Sequence, residues 1–267
     1  MKPVIRILSL AALLAVGISA CGTFGGASTP APVADNPAPT QPIILPTAAP
    51  GDPCANEFYP VKANANWLYT SGGSPSGAYQ LLNTITEVSP NGFKMTSQFR
   101  KKPRRLTWEC RSEGLVATQL IADNATNIAA FEKFPIFKIS NITGVNIPVT
   151  INPGMEWTLD FDVTGSDSRT GGSNASNMTG HIASKYKAGN KESVTVPAGT
   201  FDAIPIQVDT LIQFTVQAPT GATTLALKSS YTYWFAAGVG WVKANGSGQL
   251  GGLDYFETIQ LDSYKIQ

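Results

Sequence analysis

The sequence predicts an all-β body, an antiparallel curved sheet arranged as a sandwich or half-open barrel, and three observations carry that prediction. Short runs rich in β-branched and aromatic residues alternate with polar ones along most of the chain beyond residue 54. Turn signals stand between those runs: Ser-Gly-Gly-Ser-Pro at 71–75, Pro90-Asn91-Gly92, Asn152-Pro153-Gly154 and the polar stretch 164–177. No stretch of ten or more residues keeps a convincing helical period; 123–134 is the best candidate, and it is short.

Taken in chain order, the alternation places strands at 66–70, 79–88, 92–100, 106–111, 115–120, 155–163 and 179–187. Further strands are expected at 193–196, 203–216, 223–235, 240–244 and 255–266. From Val194 to Phe201, Pro197 at the second turn position and Gly199 at the fourth suit a type I turn, so this stretch reads as a hairpin. An internal echo is visible, since Trp108 is followed six residues later by Gly114, and Trp234 six residues later by Gly240. Pro60-Val61 likewise precedes Trp67 as Pro148-Val149 precedes Trp157. Two readings are open: two similar halves, or one meander with recurrent Trp-Gly packing.

At 267 residues the chain is long enough to bury a sizeable core without a metal or a partner. Charged residues make up 14% of it against a usual value of about 25%. With 19 Lys and Arg against 18 Asp and Glu, the net charge of +1 gives no global attraction for nucleic acid, and none is expected as a partner. The single histidine, His181, argues against histidine-based metal chemistry, and no cofactor is expected.

Residues 1–20 read as a signal peptide: Lys2 and Arg6 precede an apolar run, 7–18, that is too short to span a bilayer permanently. The run ends in Ile18-Ser19-Ala20-Cys21, which resembles the lipobox of bacterial lipoproteins. That resemblance implies that the Cys21 thiol takes a diacylglycerol, that the peptide before it is removed, and that the new amino terminus is acylated. Several chains at about 0.8 kcal/mol per buried methylene give an effectively stable membrane anchor. Gly22 rather than Asp follows the cysteine, which by the sorting rule of enteric bacteria favours the outer membrane or cell surface.

Residues 21–53 form a linker with eight prolines and only two charges, Asp35 and Asp52, a composition that cannot bury a core. Extended, it would reach on the order of 100 Å. The body is then 54–267. In an exported, oxidising setting its two cysteines, Cys54 and Cys110, are most simply a disulfide worth about 4 kcal/mol on the chain-entropy model.

Phe58-Tyr59-Pro60-Val61 with Trp67 and Tyr69, Trp108 with Cys110, Gly114 and Leu115, the Val194 to Phe201 hairpin, and Tyr233-Trp234 with Gly238-Val239-Gly240 resemble a group of exported bacterial lipoproteins. The resemblance covers most of 54–267 and departs at Ala63-Asn64-Ala65, where glycine is usual. It implies an all-β fold and an envelope location, and it supplies no catalytic residues.

Four groups of residues could carry chemistry. Arg100, Lys101, Lys102, Arg104 and Arg105 place five cations within six residues at an expected hairpin tip, where they could hold an anionic envelope polymer such as lipopolysaccharide or serve only as a solvated edge. His181 lacks a Gly-x-Ser-x-Gly partner and reads as structural. Asp160, Asp162 and Asp167 could offer oxygens to calcium, though solvent-facing acids on an amphipathic strand explain them equally well. Five tryptophans, with Phe131, Phe134, Phe137 and Phe161, are core residues or, if the sheet curls round a cavity, the lining of a lipid site.

The reading is a lipid-anchored bacterial envelope protein acting as a non-enzymatic binding or structural module, with another envelope protein as a further candidate partner. The first alternative is a carrier of lipid or acylated protein, which requires an apolar cavity on the order of several hundred Å³. The second is an envelope hydrolase, which requires clustered polar groups in a cleft.

Overall fold

The structure, a computed structural model, describes residues 52, 54–73, 77–99, 102–121, 123–128, 136–167, 176–218, 221–250 and 253–266. They contain fourteen strands, beginning with β1 (Asn66–Gly72), β2 (Tyr79–Ser89), β3 (Gly92–Phe99), β4 (Lys102–Arg111) and β5 (Gly114–Ala117). The chain continues through β6 (Ile136–Gly144), β7 (Ile147–Pro148), β8 (Glu156–Asp167), β9 (Ser176–Ala188) and β10 (Glu192–Val196). It ends with β11 (Gly199–Ala218), β12 (Gly221–Ala236), β13 (Gly240–Leu250) and β14 (Leu253–Lys265). One turn of helix occupies 125–128.

All the strands join one antiparallel sheet in the order β6-β8-β9-β11-β12-β13-β14-β1-β2-β3-β4-β5-β7, with β10 paired to β11 off this path. Its two end strands, β6 and β7, are separated in the chain only by Val145 and Asn146. That connection holds those ends within on the order of 10 Å of each other. The sheet therefore curls until its edges approach, but no ladder joins β6 to β7, and it remains an unclosed, curved sheet. Asn146 stands at this seam: its main-chain N–H donates to the Leu115 carbonyl at 3.0 Å, and its Oδ1 accepts from the Ala117 N–H at 2.8 Å.

Period-two alternation sets which side chains face inward. Trp67, Tyr69 and Ser71 of β1 are buried in step, as are Tyr255, Glu257, Ile259 and Leu261 of β14. Tyr59, on the segment before β1, stacks against Trp67, Phe93 and Trp108 with centroids 5.6 to 6.0 Å apart. The Trp67 indole donates to the Val239 carbonyl at 2.6 Å, and Tyr69 lies 3.8 Å from Trp241 in a parallel stack. A disulfide between Cys54 and Cys110 ties this segment to β4. Asn56 Nδ2 donates to the Pro148 carbonyl and the Gly238 N–H to the Glu57 carbonyl, so the segment closes one end of the curved sheet.

Several elements differ from the sequence expectation. Strands β6 and β7 were not expected: β6 slips register between Ser140 and Thr143, with Asn141 at φ 53°, so its apolar residues lose the period of two. β7 is two residues long and has no pattern to read. β4 starts at Lys102 rather than 106, which makes Lys102, Arg104 and Arg105 strand residues instead of tip residues. β8 reaches Asp167 and β9 starts at Ser176, so 164–167 and 176–177 of the polar stretch are strand. Of 123–134, the best helical candidate in an otherwise strand-patterned sequence, the described part holds the single turn at 125–128.

The internal echo marks a shared turn device. Gly114 and Gly240, at φ 148° and 109°, each open the second strand of a hairpin. Packing does not repeat with it, since Trp108 is buried on the concave face whereas the Trp234 indole donates to exposed Glu192.

Candidate functional site

Alternation on the wide ladder of β8, β9, β11 and β12 turns Trp157, Leu159 and Phe161, then Ile182, Ser184 and Tyr186, then Ile206, Val208 and Thr210, and finally Tyr231, Tyr233 and Phe235 toward the inside of the curve. Tyr59, Met95 and Trp108 face them from the other wall, and Gln119, Ile121, Asp123, Asn124 and Asn127 lie beside them. A cavity of about 130 Å³ remains among these side chains. It is smaller than the several hundred Å³ a lipid carrier requires, and close in size to cavities of about 150 Å³ that hold a benzene.

The cavity has apolar walls and a few polar groups. Trp108 and Trp157 both line it, and the Nε1 of each is buried without a hydrogen-bond partner. Trp108 is stacked 5.4 Å from Phe93 and Trp157 5.0 Å from Tyr186, so each ring is held by packing alone. Asp123 is the charged residue of the lining among the described residues. Its carboxylate accepts from the Tyr233 hydroxyl at 3.0 Å, Asn127 Nδ2 at 2.8 Å and Asn124 Nδ2 at 2.9 Å. Loss of solvent outweighs those bonds and pushes its pKa up to about 6.

Behind the cavity wall lies a second acid. Glu257 is fully buried, and its carboxylate accepts from Ser71 Oγ at 2.7 Å, Tyr79 OH at 2.6 Å, Tyr231 OH at 2.9 Å and the Ala125 N–H at 3.1 Å. Burial first, and then the Glu257 charge, pushes the Tyr79 and Tyr231 phenols well above their ordinary range, so both remain donors. The Tyr255 hydroxyl bridges Tyr231 and Thr126. Gly246 makes this possible. It pairs with both Tyr231 and Glu257, and a Cβ there would stand 2.3 Å from the Tyr231 ring. Through Asp123, Ala125 and Thr126 the helical turn is bound to the sheet at this second end.

The residues singled out from the sequence are dispersed. Cys21, Arg100 and Lys101 lie outside the described residues, as do Phe131 and Phe134. Lys102 and Arg105 are exposed and Arg104 half-buried, and alternation along β4 puts Lys102 and Arg104 on one face and Arg105 on the other. His181 sits on the outer face with its Nδ1 2.9 Å from Asp162 Oδ1 and its Nε2 3.9 Å from Asp160. Asn141 and then His181 hold the Asp162 carboxyl below the usual range. Among the tryptophans, Trp67 is core, Trp108, Trp157 and Trp241 line the cavity, and Trp234 is half-buried with its indole donating to exposed Glu192. Phe161 joins the cavity wall and Phe137 packs partly buried against the core.

Asp123, Glu257 and the tyrosines around them were not read from the sequence. One signal was present: Glu257 falls in phase with Tyr255, Ile259 and Leu261, an acid on the buried face of an otherwise ordinary strand. Asp123 carried none, because its partners come from β12 and from its own turn.

Residues 125–253 match a family model described as DUF3108-like. No curated protein matches the sequence. Among solved structures, one described as an exported protein with a YmcC-like fold, from Bacteroides fragilis, aligns over 79% of this chain and 100% of its own at 13% identity and a TM-score of 0.47. A structure described as a lipoprotein, from Parabacteroides distasonis, aligns over 79% and 99% at 15% identity and 0.45. The lipoprotein YmcC from Escherichia coli aligns over 77% and 92% at 12% identity and 0.32.

Proposed function

We propose that this chain is a lipid-anchored protein of the bacterial cell envelope, placed at the outer membrane or cell surface, whose body acts as a non-enzymatic binding module with the cavity inside the curved sheet as its site. The observation that carries the reading is the lining: apolar walls with a few fixed polar groups, the usual make-up of a small-molecule site. Cys21 is the attachment point and 21–53 the spacer that holds the body off the membrane. The catalytic alternative has less support. Glu257 is fully buried behind the wall, and the His181–Asp162 pair lies exposed on the opposite face of the sheet.

The test is to export the full chain as Cys21→Ser, so that anchor lipid is absent, and to record its native mass with solvent extraction. A stoichiometric co-purifying small molecule, displaced when the cavity is filled by a Ser184→Trp substitution, supports the reading. A clean apo mass together with no ligand-induced thermal shift across a fragment set removes it. Recovery of a long-chain lipid would instead make the chain a carrier whose cavity opens well beyond the 130 Å³ seen here.

A second contact is proposed at the exposed end of the β3–β4 hairpin, where Lys102 and Arg105 face solvent and an anionic envelope polymer could be held. Replacing Lys102, Arg104 and Arg105 by Gln is expected to abolish salt-sensitive retention on lipopolysaccharide; unchanged retention excludes it.

A further inference from the structure

The ladder between β11 and β12 runs unbroken from Ala203 and Ala236 to Ala218 and Gly221, but β13 pairs with β12 only from Ser229 to Ala236. Beyond Gly248, β13 pairs with β14 alone, through Gln249 and Leu250. Among the described residues, then, 221–228 of β12 has a strand on one side only, and every residue of 221–226 is exposed. Two close approaches fix which main-chain groups face the open side. The Gln213 carbonyl is directed at Gly180 of β9, and the Ser230 carbonyl at Gly246 of β13. Main-chain groups alternate sides along a strand, so Leu225 and Leu227 bond to β11, while Ala222, Thr224, Ala226 and Lys228 turn their N–H and C=O groups to the open side.

Open edges are templates for another strand, and folds blunt them with charge, bulges or shortness. This chain does so elsewhere: β6 carries exposed Lys138 and a register slip beside Asn141, and β7 is two residues long. The open part of β12 has none of these. Its register is unbroken, and from 210 to 227 no residue is charged. Alternation from Tyr231 places Leu225 and Leu227 on the concave face, where Leu225 is 45% exposed.

We propose that the open edge of β12, residues 221–228, pairs antiparallel with the same edge of a second copy about a two-fold axis at Leu225, joining two curved sheets into one. The segment is complementary to itself in that register. Leu225 meets Leu225 and Leu227 meets Thr223 on the concave side, while Thr224 meets Ala226 with their main-chain groups facing. Lys228, the one charge of the segment, falls opposite Ala222, so no like charges meet. All four outward-turned residues of each copy are engaged, giving about eight main-chain hydrogen bonds. Because the contact is isologous, it uses up both edges and leaves none to extend into a fibre. The pairing does not depend on the cavity being a binding site.

The experiment uses the full chain as Cys21→Ser in sedimentation velocity. One strand pair is a small interface, so a reversible dimer is expected to form within about 1–300 µM. Ala226→Pro removes an N–H that faces the open side and none that serves β11, a place where a sheet accepts proline. It is expected to weaken the dimer at least tenfold while keeping the urea midpoint of the unsubstituted chain. Thr224→Lys with Ala226→Lys, which sets like charges opposite each other, should do the same and guards against a folding defect in the proline variant. With Cys54 and Cys110 paired, Leu225→Cys adds the one free thiol. Oxidised glutathione, which takes up the two electrons, is expected to join two copies through it, whereas Leu211→Cys on the outer face of β11 should stay monomeric. A monomer throughout that range with no Leu225→Cys cross-link overturns the proposal. So does a dimer that the proline and lysine variants both leave intact, since the contact then lies elsewhere. Loss of the dimer in those variants without a Leu225→Cys cross-link, or equal cross-linking through Leu211→Cys, overturns the two-fold register.

Discussion

Fully buried Glu257 and half-buried Asp123 show how differently a carboxylate can be held. Glu257 is satisfied by three hydroxyls and a main-chain N–H, the Tyr231 hydroxyl being shared with Tyr255. Glu257→Ala would take the acceptor from Ser71, Tyr79 and the Ala125 N–H inside the fold. A loss of about 3–5 kcal/mol is expected from urea unfolding, against under 1 kcal/mol for truncating exposed Glu87. A Glu257→Ala loss as small as that of Glu87 would show that water replaces the carboxylate. Asp123 is held less well. Its pKa of about 6 in the folded chain lies above the ordinary 3.8, so between those values the folded state keeps the proton longer than the unfolded one. Its contribution therefore favours folding below about pH 4 and is lost as pH rises through 6, a change on the order of 2–3 kcal/mol. Asp123→Asn should accordingly gain on the unsubstituted chain as pH goes from 4 to 7. Urea midpoints for both across that range check it, and a constant difference would mean that the carboxyl is not raised.

At the scale of elements, β13 shows what a strand gives up to accommodate its neighbours. Glycine inside a strand normally weakens it, yet Gly246 and Gly248 are where Tyr231, Glu257 and Tyr255 find room. Gly246→Ala is expected to push the Tyr231 ring aside, break its bond to Glu257 and cost about 2–4 kcal/mol. Gly72→Ala, with nothing within 4 Å of the new Cβ, should change stability by less than about 0.5 kcal/mol. Equal effects in urea would show that the loss at Gly246 is one of backbone propensity and not of space. These glycines also explain why the sequence reading ended β13 early, near 244. Side-chain alternation stops being visible where one face has no side chains. The bulge in β6 hid that strand for the related reason that it breaks the period of two. Strands with an unbroken alternation and a buried face, such as β1, β2 and β14, were legible.

For the whole molecule, the sheet's two ends are closed by different means. The segment before β1 is fastened by the Cys54–Cys110 disulfide and by stacked rings around Tyr59, while the turn at 125–128 is fastened by the polar network and by the burial of Ala125 and Ile128 in the core. Cys54 and Cys110 are 56 residues apart, so replacing both with Ser should lower stability by about 4 kcal/mol on the chain-entropy model, read from urea unfolding under oxidising conditions. A loss under 1 kcal/mol would mean that the ring stack and the Asn56 and Glu57 bonds hold the segment without it. The sequence by itself determined the fold class, most of the strands and the pairing partners available to two cysteines, because alternation, turn residues and cysteine number are properties of short stretches and of composition. Only the tertiary structure decided that the sheet curls until β6 and β7 approach, that Trp108 and Trp157 share one cavity with Asp123, and that Glu257 is buried. Those facts depend on which residues from distant strands meet on the concave face, and a one-dimensional period fixes the face a side chain takes but not what stands opposite it.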